Sequence, residues 1–265
     1  MPQKYLTIGD TATLVHHRGQ TTLPGSPPRC DKGATIVCLH DAGVSGAQFS
    51  DLMDRLANGH SPLAYDQPGH GRSGGLDALD SIDAMVEHLR ALTSAWSIDH
   101  PVLVGEGLGA AVALQAAVAD PRYPRALVLT GGAAASFDLN REIEALTAIT
   151  AGKSRREFDR TGYAPDTDRA VYQKAFSSWV TTDPRATLGA RRAQAAWSLG
   201  GSPDLPVLIV VGEHEEPESV AAAESLAEHL PNATVRHLEG AGRRGVLEQP
   251  ERLAGHISDF IGGAS

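Results

Sequence analysis

Short apolar runs alternate with longer segments of helical periodicity along most of the chain, and this alternation limits the possible folds strongly. The runs at Thr35–His40, Val102–Val104 and Ala126–Thr130 are short and apolar throughout, unlike the alternating pattern of half-exposed strands. Strands of this kind are buried on both faces, as happens when helices cover both sides of a parallel sheet. The sequence therefore predicts an α/β protein with ligands bound beyond the carboxyl ends of the strands.

The alternation stops between about residues 132 and 205, where helical patterns follow one another without a strand between them. We therefore expect a sheet domain formed by residues 1–131 and 206–265, with a helical insertion at 132–205. The insertion holds seven of the thirteen Phe, Tyr and Trp residues, which is typical of a small core or of an apolar lid over a pocket. These seven are Phe137, Phe158, Tyr163, Tyr172, Phe176, Trp179 and Trp197.

The stretch VGEGLGA, residues 104–110, joins an apolar strand to an alanine-rich helix through a glycine-rich turn. This is the setting of a G-x-S-x-G nucleophile elbow, in which a serine stands on a sharp turn. The turn needs small residues two positions before and two after the nucleophile, and Gly105 and Gly109 satisfy that need only if residue 107 is the centre. Gly107 therefore stands where the serine would be.

Five motifs occur in the chain in the order IVCLHDAG, YDQPGHGRSG, VGEGLGA, PVLIVVGEHEEP and LEGAGRRGVLEQPERL. In this order they resemble the α/β-hydrolases of the capped branch, which includes enol-lactone hydrolases, carbon–carbon bond hydrolases, epoxide hydrolases and haloalkane dehalogenases. The resemblance covers nearly the whole chain. It implies a mostly parallel, eight-stranded sheet with helices on both faces and a helical cap at 132–205.

The resemblance assigns the positions of a nucleophile, an acid and a histidine to Gly107, Glu215 and Arg243. Glycine has no side chain with which to form a covalent intermediate, and arginine stays protonated and cannot act as a base near neutral pH. Of the three positions, only that of the acid, Glu215, has a residue of the expected type. A carboxylate and a guanidinium at these adjoining positions predict a Glu215–Arg243 ion pair, which fills the space left by lost catalysis or leaves Arg243 to bind a substrate carboxylate or enolate.

The resemblance also implies an oxyanion hole formed by the backbone N–H groups of Ala42 and Leu108, which does not depend on side chains. Three titratable residues adjoin it, and each has a structural alternative. His40 is either a catalytic group or a structural histidine, and Asp41 either a catalytic carboxylate or a solvated loop residue. Glu106 is either a packing residue or an acid–base group whose pKa is raised by burial.

Composition argues against several kinds of partner. The formal net charge is −9 and the basic residues are scattered, whereas nucleic acids and anionic membranes favour clustered Lys and Arg. The N-terminus lacks the pattern of a secretory signal, and two cysteines cannot form a disulfide framework, so a cytoplasmic protein is expected. No cofactor is implied. We predict no metal, because His214 beside Glu213 and Glu215 lacks a third ligand at suitable spacing.

Three classes of function agree with these features. The leading hypothesis is an enzyme without an acyl intermediate, such as a lyase, cyclase or isomerase of secondary metabolism acting on a small apolar carbonyl compound. The alternatives are a hydrolase that activates water directly and a non-catalytic protein that binds a ligand or a partner. In the enzymes, aromatic residues of the insertion are expected to bind substrate. These are Tyr172, Phe176, Trp179 and Trp197. The oligomeric state stays open.

Overall fold

The computed structural model describes residues 2–23, 26–132 and 139–263. Its strands are β1 (Gln3–Ile8), β2 (Thr11–His17), β3 (Thr35–Leu39), β4 (Ser61–Tyr65), β5 (Val102–Glu106), β6 (Ala126–Thr130), β7 (Val207–Gly212) and β8 (Ala233–Leu238). They form one sheet in the order β1-β2-β4-β3-β5-β6-β7-β8. β2 runs antiparallel to β1 and β4, and the other neighbouring pairs are parallel. The predicted eight-stranded, mostly parallel sheet is thus confirmed.

The helices follow the predicted alternation. They are α1 (Ser50–Leu56), α2 (Ile82–Ala95), α3 (Leu108–Ala119), α4 (Leu139–Thr150), α5 (Arg169–Val180), α6 (Pro184–Ala195), α7 (Pro217–His229), α8 (Gly245–Glu248) and α9 (Pro250–Gly263), with a 3-10 turn at Gly46–Phe49 before α1. β6 has the bounds that the sequence predicts. The short helix α8 was not predicted, because four residues are too few to show a helical period.

Two hydrophobic clusters cover the two faces of the sheet. Val37 and Leu39 of β3 belong to the cluster that contains α2 and α3, whereas Ile36 and Cys38 belong to the cluster that contains α1 and α9. Successive side chains of a strand point to opposite faces, so a strand that is apolar at every position serves both clusters. This is the physical reason why the apolar runs identify the parallel strands.

Small residues allow α3 to lie very close to the sheet. A Cβ atom on Gly109 would stand 2.1 Å from the carbonyl oxygen of Leu39, and one on Gly105 would stand 2.4 Å from that of Gly109. Both glycines are therefore required by close backbone approach at the turn between β5 and α3.

The described residues between β6 and β7 contain the helices α4, α5 and α6. α6 packs against α4 and α3, and α5 packs against the 3-10 turn and α8. No strand is found among the described residues of this segment, 131–132 and 139–206. Phe137 lies outside the described residues. No helix of the described chain is both long and apolar enough to span a membrane.

Replacing Gly109 with Ala tests the close packing of α3. We expect Gly109→Ala to lower the free energy of unfolding by about 3 kcal/mol, because the new methyl group meets backbone that cannot move aside. Gly255→Ala is a matched control in a helix, since a Cβ there meets open space. It should leave stability unchanged or raise it by up to about 1 kcal/mol. Urea denaturation measures both, and equal stability of the two variants would contradict the expectation.

Candidate functional site

Gly107 forms the turn between β5 and α3. Its backbone has φ 55° and ψ −111°, a conformation that side-chain-bearing residues adopt only with strain. Its N–H donates to the carbonyl oxygen of Thr130 on β6 at 3.1 Å, which holds the turn against the sheet. Residue 107 therefore stands at the carboxyl end of the central strands, where the sequence places the elbow.

The carboxylate of Asp41 occupies the space in front of Gly107. Its Oδ1 accepts hydrogen bonds from the N–H groups of Ala42 at 2.8 Å and Leu108 at 2.9 Å. A Cβ atom on Gly107 would stand only 2.3 Å from this oxygen. The two N–H groups that the sequence assigns to an oxyanion hole therefore hold a side chain of the protein itself, which the sequence did not indicate.

Arg191 of α6 binds the same carboxylate with two hydrogen bonds. Its Nη1 donates to Oδ1 of Asp41 at 2.7 Å and its Nη2 to Oδ2 at 3.0 Å. Gln194 accepts a further bond from Nη1 at 2.8 Å, and a carboxylate oxygen of Glu142 on α4 lies 3.0 Å from Nε. This bidentate pair is buried, and it joins the helical insertion to the elbow.

Arg244, at the start of α8, completes the set of cations around Asp41. Its Nη1 lies 3.2 Å from Oδ2 of Asp41 and 3.7 Å from Oε1 of Glu106. The sequence directed attention instead to Arg243, the preceding residue, as a partner of Glu215 or of a substrate anion. The backbone N–H of Arg243 donates to the carbonyl oxygen of Gly162 at 2.8 Å, and burial, followed by the charge of Arg244, lowers the pKa of its guanidinium.

Asp41 stays ionised although it is buried. Burial opposes its ionisation, but the charges of Arg191 and Arg244 outweigh that effect and hold the pKa of Asp41 well below its ordinary value. Both carboxylate oxygens are also saturated with hydrogen-bond donors. A carboxylate in this state is a weak base, so the structure offers little support for proton transfer by Asp41 as it stands.

Glu106, the residue before Gly107, has the opposite electrostatic character. It is fully buried, and burial raises its pKa from 4.5 to about 7, although Arg244 acts in the other direction. Gln48 donates a hydrogen bond to Oε2, whereas Oε1 has no hydrogen-bond partner among the described residues. Glu106 therefore exchanges a proton near neutral pH, as an acid–base group must.

His40 is held on both ring nitrogens. Its Nδ1 lies 2.7 Å from the carbonyl oxygen of Asp41 and acts as a donor there, since Nε2 accepts from the N–H of Gln67 at 2.9 Å. Burial lowers the pKa of the ring, so the imidazole is neutral. These contacts agree with the structural alternative for His40, which fixes the loop that carries Asp41.

Glu215 does not make the predicted contact with Arg243. Its Oε1 accepts from the N–H of Gly212 at 2.9 Å, and its Oε2 accepts from the hydroxyl of Ser219. Both oxygens are thus used inside the turn between β7 and α7. No ion pair joins Glu215 to Arg243 within the described ranges, so that prediction was wrong.

The four aromatic residues proposed to bind substrate lie in separate groups. Phe176 and Trp179 pack with Phe158, while Tyr172 packs on Tyr163 with ring centroids 4.8 Å apart. The indole N–H of Trp197 instead donates to Gln115 of α3 at 3.0 Å.

Tyr172 and Phe176 line one groove, and Asp41 is not part of its lining. This open groove of about 960 Å³ follows α5 and is lined by Phe158, Arg160, Thr167, Arg169, Tyr172, Gln173, Phe176 and Ser177. Substrate binding by the four residues stays a prediction.

Within the part of the chain that the structure describes, His, Cys, Asp and Glu form no group of three suited to a metal ion.

No sequence motif indicated Arg191, Arg244 or Gln48 as residues of the site. Arg191 lies one helical turn from Thr187 and Gln194, which are also buried on α6. A charged residue on a buried helix face rarely lacks an oppositely charged partner. The helical period of α6 therefore indicated that Arg191 forms an ion pair, but it did not identify the partner.

Replacing Glu106 with Gln tests its raised pKa. Because the folded state holds the proton more tightly than the unfolded state, the Glu106 contribution to stability falls as pH rises from about 4.5 to about 7 and is constant above that. Glu106→Gln removes this contribution. The stability of the variant relative to the wild type should therefore rise by about 3 kcal/mol between pH 4.5 and pH 8.

Urea denaturation at several pH values measures the difference between the two proteins. Glu144→Gln on the exposed face of α4 is the control, and its difference from the wild type should not follow the same course. A difference for Glu106→Gln that is independent of pH would show that Glu106 ionises normally.

Comparison with known proteins agrees with this architecture. The chain is 28% identical over 252 residues to polyketide synthase ThaQ of Burkholderia thailandensis, covering 88% of this chain but 12% of that protein. It is also 28% identical over 254 residues to 2-(acetamidomethylene)succinate hydrolase of Mesorhizobium japonicum, covering 86% of this chain and 88% of that protein.

Among solved structures, a thermophilic esterase from Thermogutta terrifontis with malate bound superimposes with a TM-score of 0.84 at 16% identity, covering 100% of this chain and 99% of the esterase. That likeness concerns the fold. The family model described as "Alpha/beta hydrolase family" matches residues 36–256. The chain therefore belongs to the α/β-hydrolase family.

Proposed function

We propose that this chain is a non-acylating member of its family, which binds a small molecule beside the elbow without forming a covalent intermediate. The observation that supports this most is the position of Asp41. Its Oδ1 accepts hydrogen bonds from the N–H groups of Ala42 and Leu108 and lies where a side chain at residue 107 would begin. A nucleophile at 107 and a polarised substrate carbonyl would both need the space that Asp41 fills.

This geometry favours the ligand-binding alternative over the lyase, cyclase or isomerase hypothesis. An oxyanion hole contributes to catalysis when its donors are free to meet the charge that develops on the substrate. Here both donors are satisfied before any substrate arrives. The hydrolase that activates water directly has less support, because Asp41 is a weak base between two arginines.

A small-molecule ligand agrees with the relatives and with the charge of the chain. The hydrolase from Mesorhizobium japonicum is named for a small organic acid. The net charge of −9 does not favour nucleic acid as a partner. The buried arginines provide cationic groups for a polar or anionic ligand.

We also infer a cytoplasmic location. Cys30 and Cys38 are both free thiols, and free thiols persist in the reducing cytoplasm. Cell fractionation that finds the protein in another compartment would contradict this inference.

Proton-transfer catalysis is the second candidate function, and Glu106 is the observation that favours it. A buried carboxyl group with a pKa near 7 and one oxygen without a hydrogen bond can take up or release a proton at neutral pH. Such a group would suit isomerase or lyase chemistry on a small carbonyl compound.

Solvent deuterium exchange tests the second candidate. A panel of small ketones and carboxylic acids is incubated in D2O with the wild type or with Glu106→Gln, and exchange is followed by 1H NMR. Catalysis by Glu106 predicts exchange that the wild type accelerates and the variant does not. Exchange at the rate of the buffer alone for every compound would count against catalysis.

Restoring the missing side chains tests the main proposal. The variant Gly107→Ser/Arg243→His should remain inactive toward 4-nitrophenyl acetate and unlabelled by a fluorophosphonate, because Asp41 still fills the space in front of residue 107. Adding Asp41→Gly should free the space and the two N–H donors. The triple variant should then be labelled at residue 107.

Ester hydrolysis and fluorophosphonate labelling are measured for the wild type and both variants, with circular dichroism as the control for folding. Labelling and hydrolysis by the wild type would refute the proposal. Equal labelling of the double and triple variants would show that Asp41 does not block the elbow.

A further inference from the structure

Five N–H donors converge on the carboxylate of Asp41. Oδ1 accepts from Ala42, Leu108 and Nη1 of Arg191, and Oδ2 accepts from Nη2 of Arg191 and Nη1 of Arg244 at distances between 2.7 and 3.2 Å. Arg191 approaches both oxygens at once, in the bidentate geometry that guanidinium groups form with carboxylates. The donors therefore surround a planar, two-oxygen anion on both of its oxygens.

Each of these donors has a further source of position besides the Asp41 side chain. Ala42 and Leu108 contribute backbone N–H groups, and Leu108 is the first residue of α3. Arg191 is held by Gln194 and Glu142 as well as by Asp41, and Arg244 also lies near Glu106. Removing the Asp41 carboxylate would leave this set of donors in place around an empty space.

An empty space of this kind would require an anion. Buried cations are strongly unfavourable without a partner, and the two elbow N–H groups would lose their acceptor. A carboxylate from another molecule would restore both the charge and the hydrogen bonds. A neutral amide would do so poorly, because its NH2 group would face a donor instead of an acceptor.

We propose that the five donors form a binding site for the carboxylate of a small organic acid, and that Asp41 is its tethered occupant, which turns away when the acid binds. This inference rests on the proposed function, since it names the chemical class of the ligand that the elbow binds. It also explains why Asp41 and two arginines are buried at the carboxyl ends of the strands. The five donors then bind one carboxylate in either state.

The tether determines how acids compete in the wild-type protein. Asp41 is attached to the site through its own backbone, so its effective concentration is high, and a simple acid displaces it poorly. Removing the tethered carboxylate should therefore reveal the site. Acetate serves as the probe, because it is the carboxylate that Asp41→Gly removes.

The experiment measures acetate binding to Asp41→Gly by thermal shift and isothermal titration calorimetry. We expect a saturable rise of the melting temperature with acetate, and none with acetamide or with sodium chloride at equal ionic strength. The wild type should bind acetate at least about tenfold more weakly than Asp41→Gly does, because Asp41 competes for the site. In the Asp41→Gly background, Arg191→Gln should weaken acetate binding by about tenfold or more.

Arg192→Gln is the matched control in the same background, since Arg192 is the next residue on α6 and is exposed. It should leave acetate binding unchanged.

If Asp41→Gly is unfolded in chloride buffer, refolding it in acetate applies the same test, and recovery of the native circular dichroism supports the site. Asp41→Ala with formate provides a second combination of variant and acid for the same test.

Four results would overturn the inference, and the first three come from the variants. These three are an absence of any acetate effect on folded Asp41→Gly, an equal effect of chloride, and a failure of both variants to fold even with their acids. Equal affinity in the wild type and the variant would show that acetate binds elsewhere and would also refute it. The proposed function fails separately, through fluorophosphonate labelling of the wild type, so the two failures are distinguishable.

Discussion

The buried carboxylate of Asp41 is the interaction on which the elbow and the helical insertion both depend. It accepts hydrogen bonds from its own loop, from the start of α3, from Arg191 on α6 and from Arg244 at α8. Guanidinium groups are tolerated in a protein interior only with a well-placed partner, and Asp41 is the partner that the two arginines share. One side chain thus determines how parts of the chain distant in sequence meet.

Gly107 and Asp41 depend on each other. A side chain at 107 would collide with Oδ1 of Asp41, so the carboxylate can stand in front of the elbow only because residue 107 is glycine. The arginines in turn need the carboxylate. The departures from the G-x-S-x-G pattern are therefore coupled through space, and a single substitution in this group has consequences for all of its members.

The two carboxylates beside the elbow show how strongly environment determines ionisation. Asp41 lies between two cations and keeps its charge, whereas burial raises the pKa of Glu106 to about 7, although Arg244 acts in the other direction. Both residues are buried. The difference comes from the number of charged and hydrogen-bonding partners, which no local sequence pattern reports.

The sequence by itself determined the sheet, the order of strands and helices and the glycine turn at 107, because these follow from local periodicity and from close backbone approach at Gly105 and Gly109. It also directed attention to Asp41 and Glu106. It assigned the ion pair to Glu215 and Arg243, where the tertiary structure instead joins Asp41 to Arg191 across 150 positions of the chain. Contacts over such distances depend on how the insertion packs on the sheet, so only the tertiary structure could decide which charges meet.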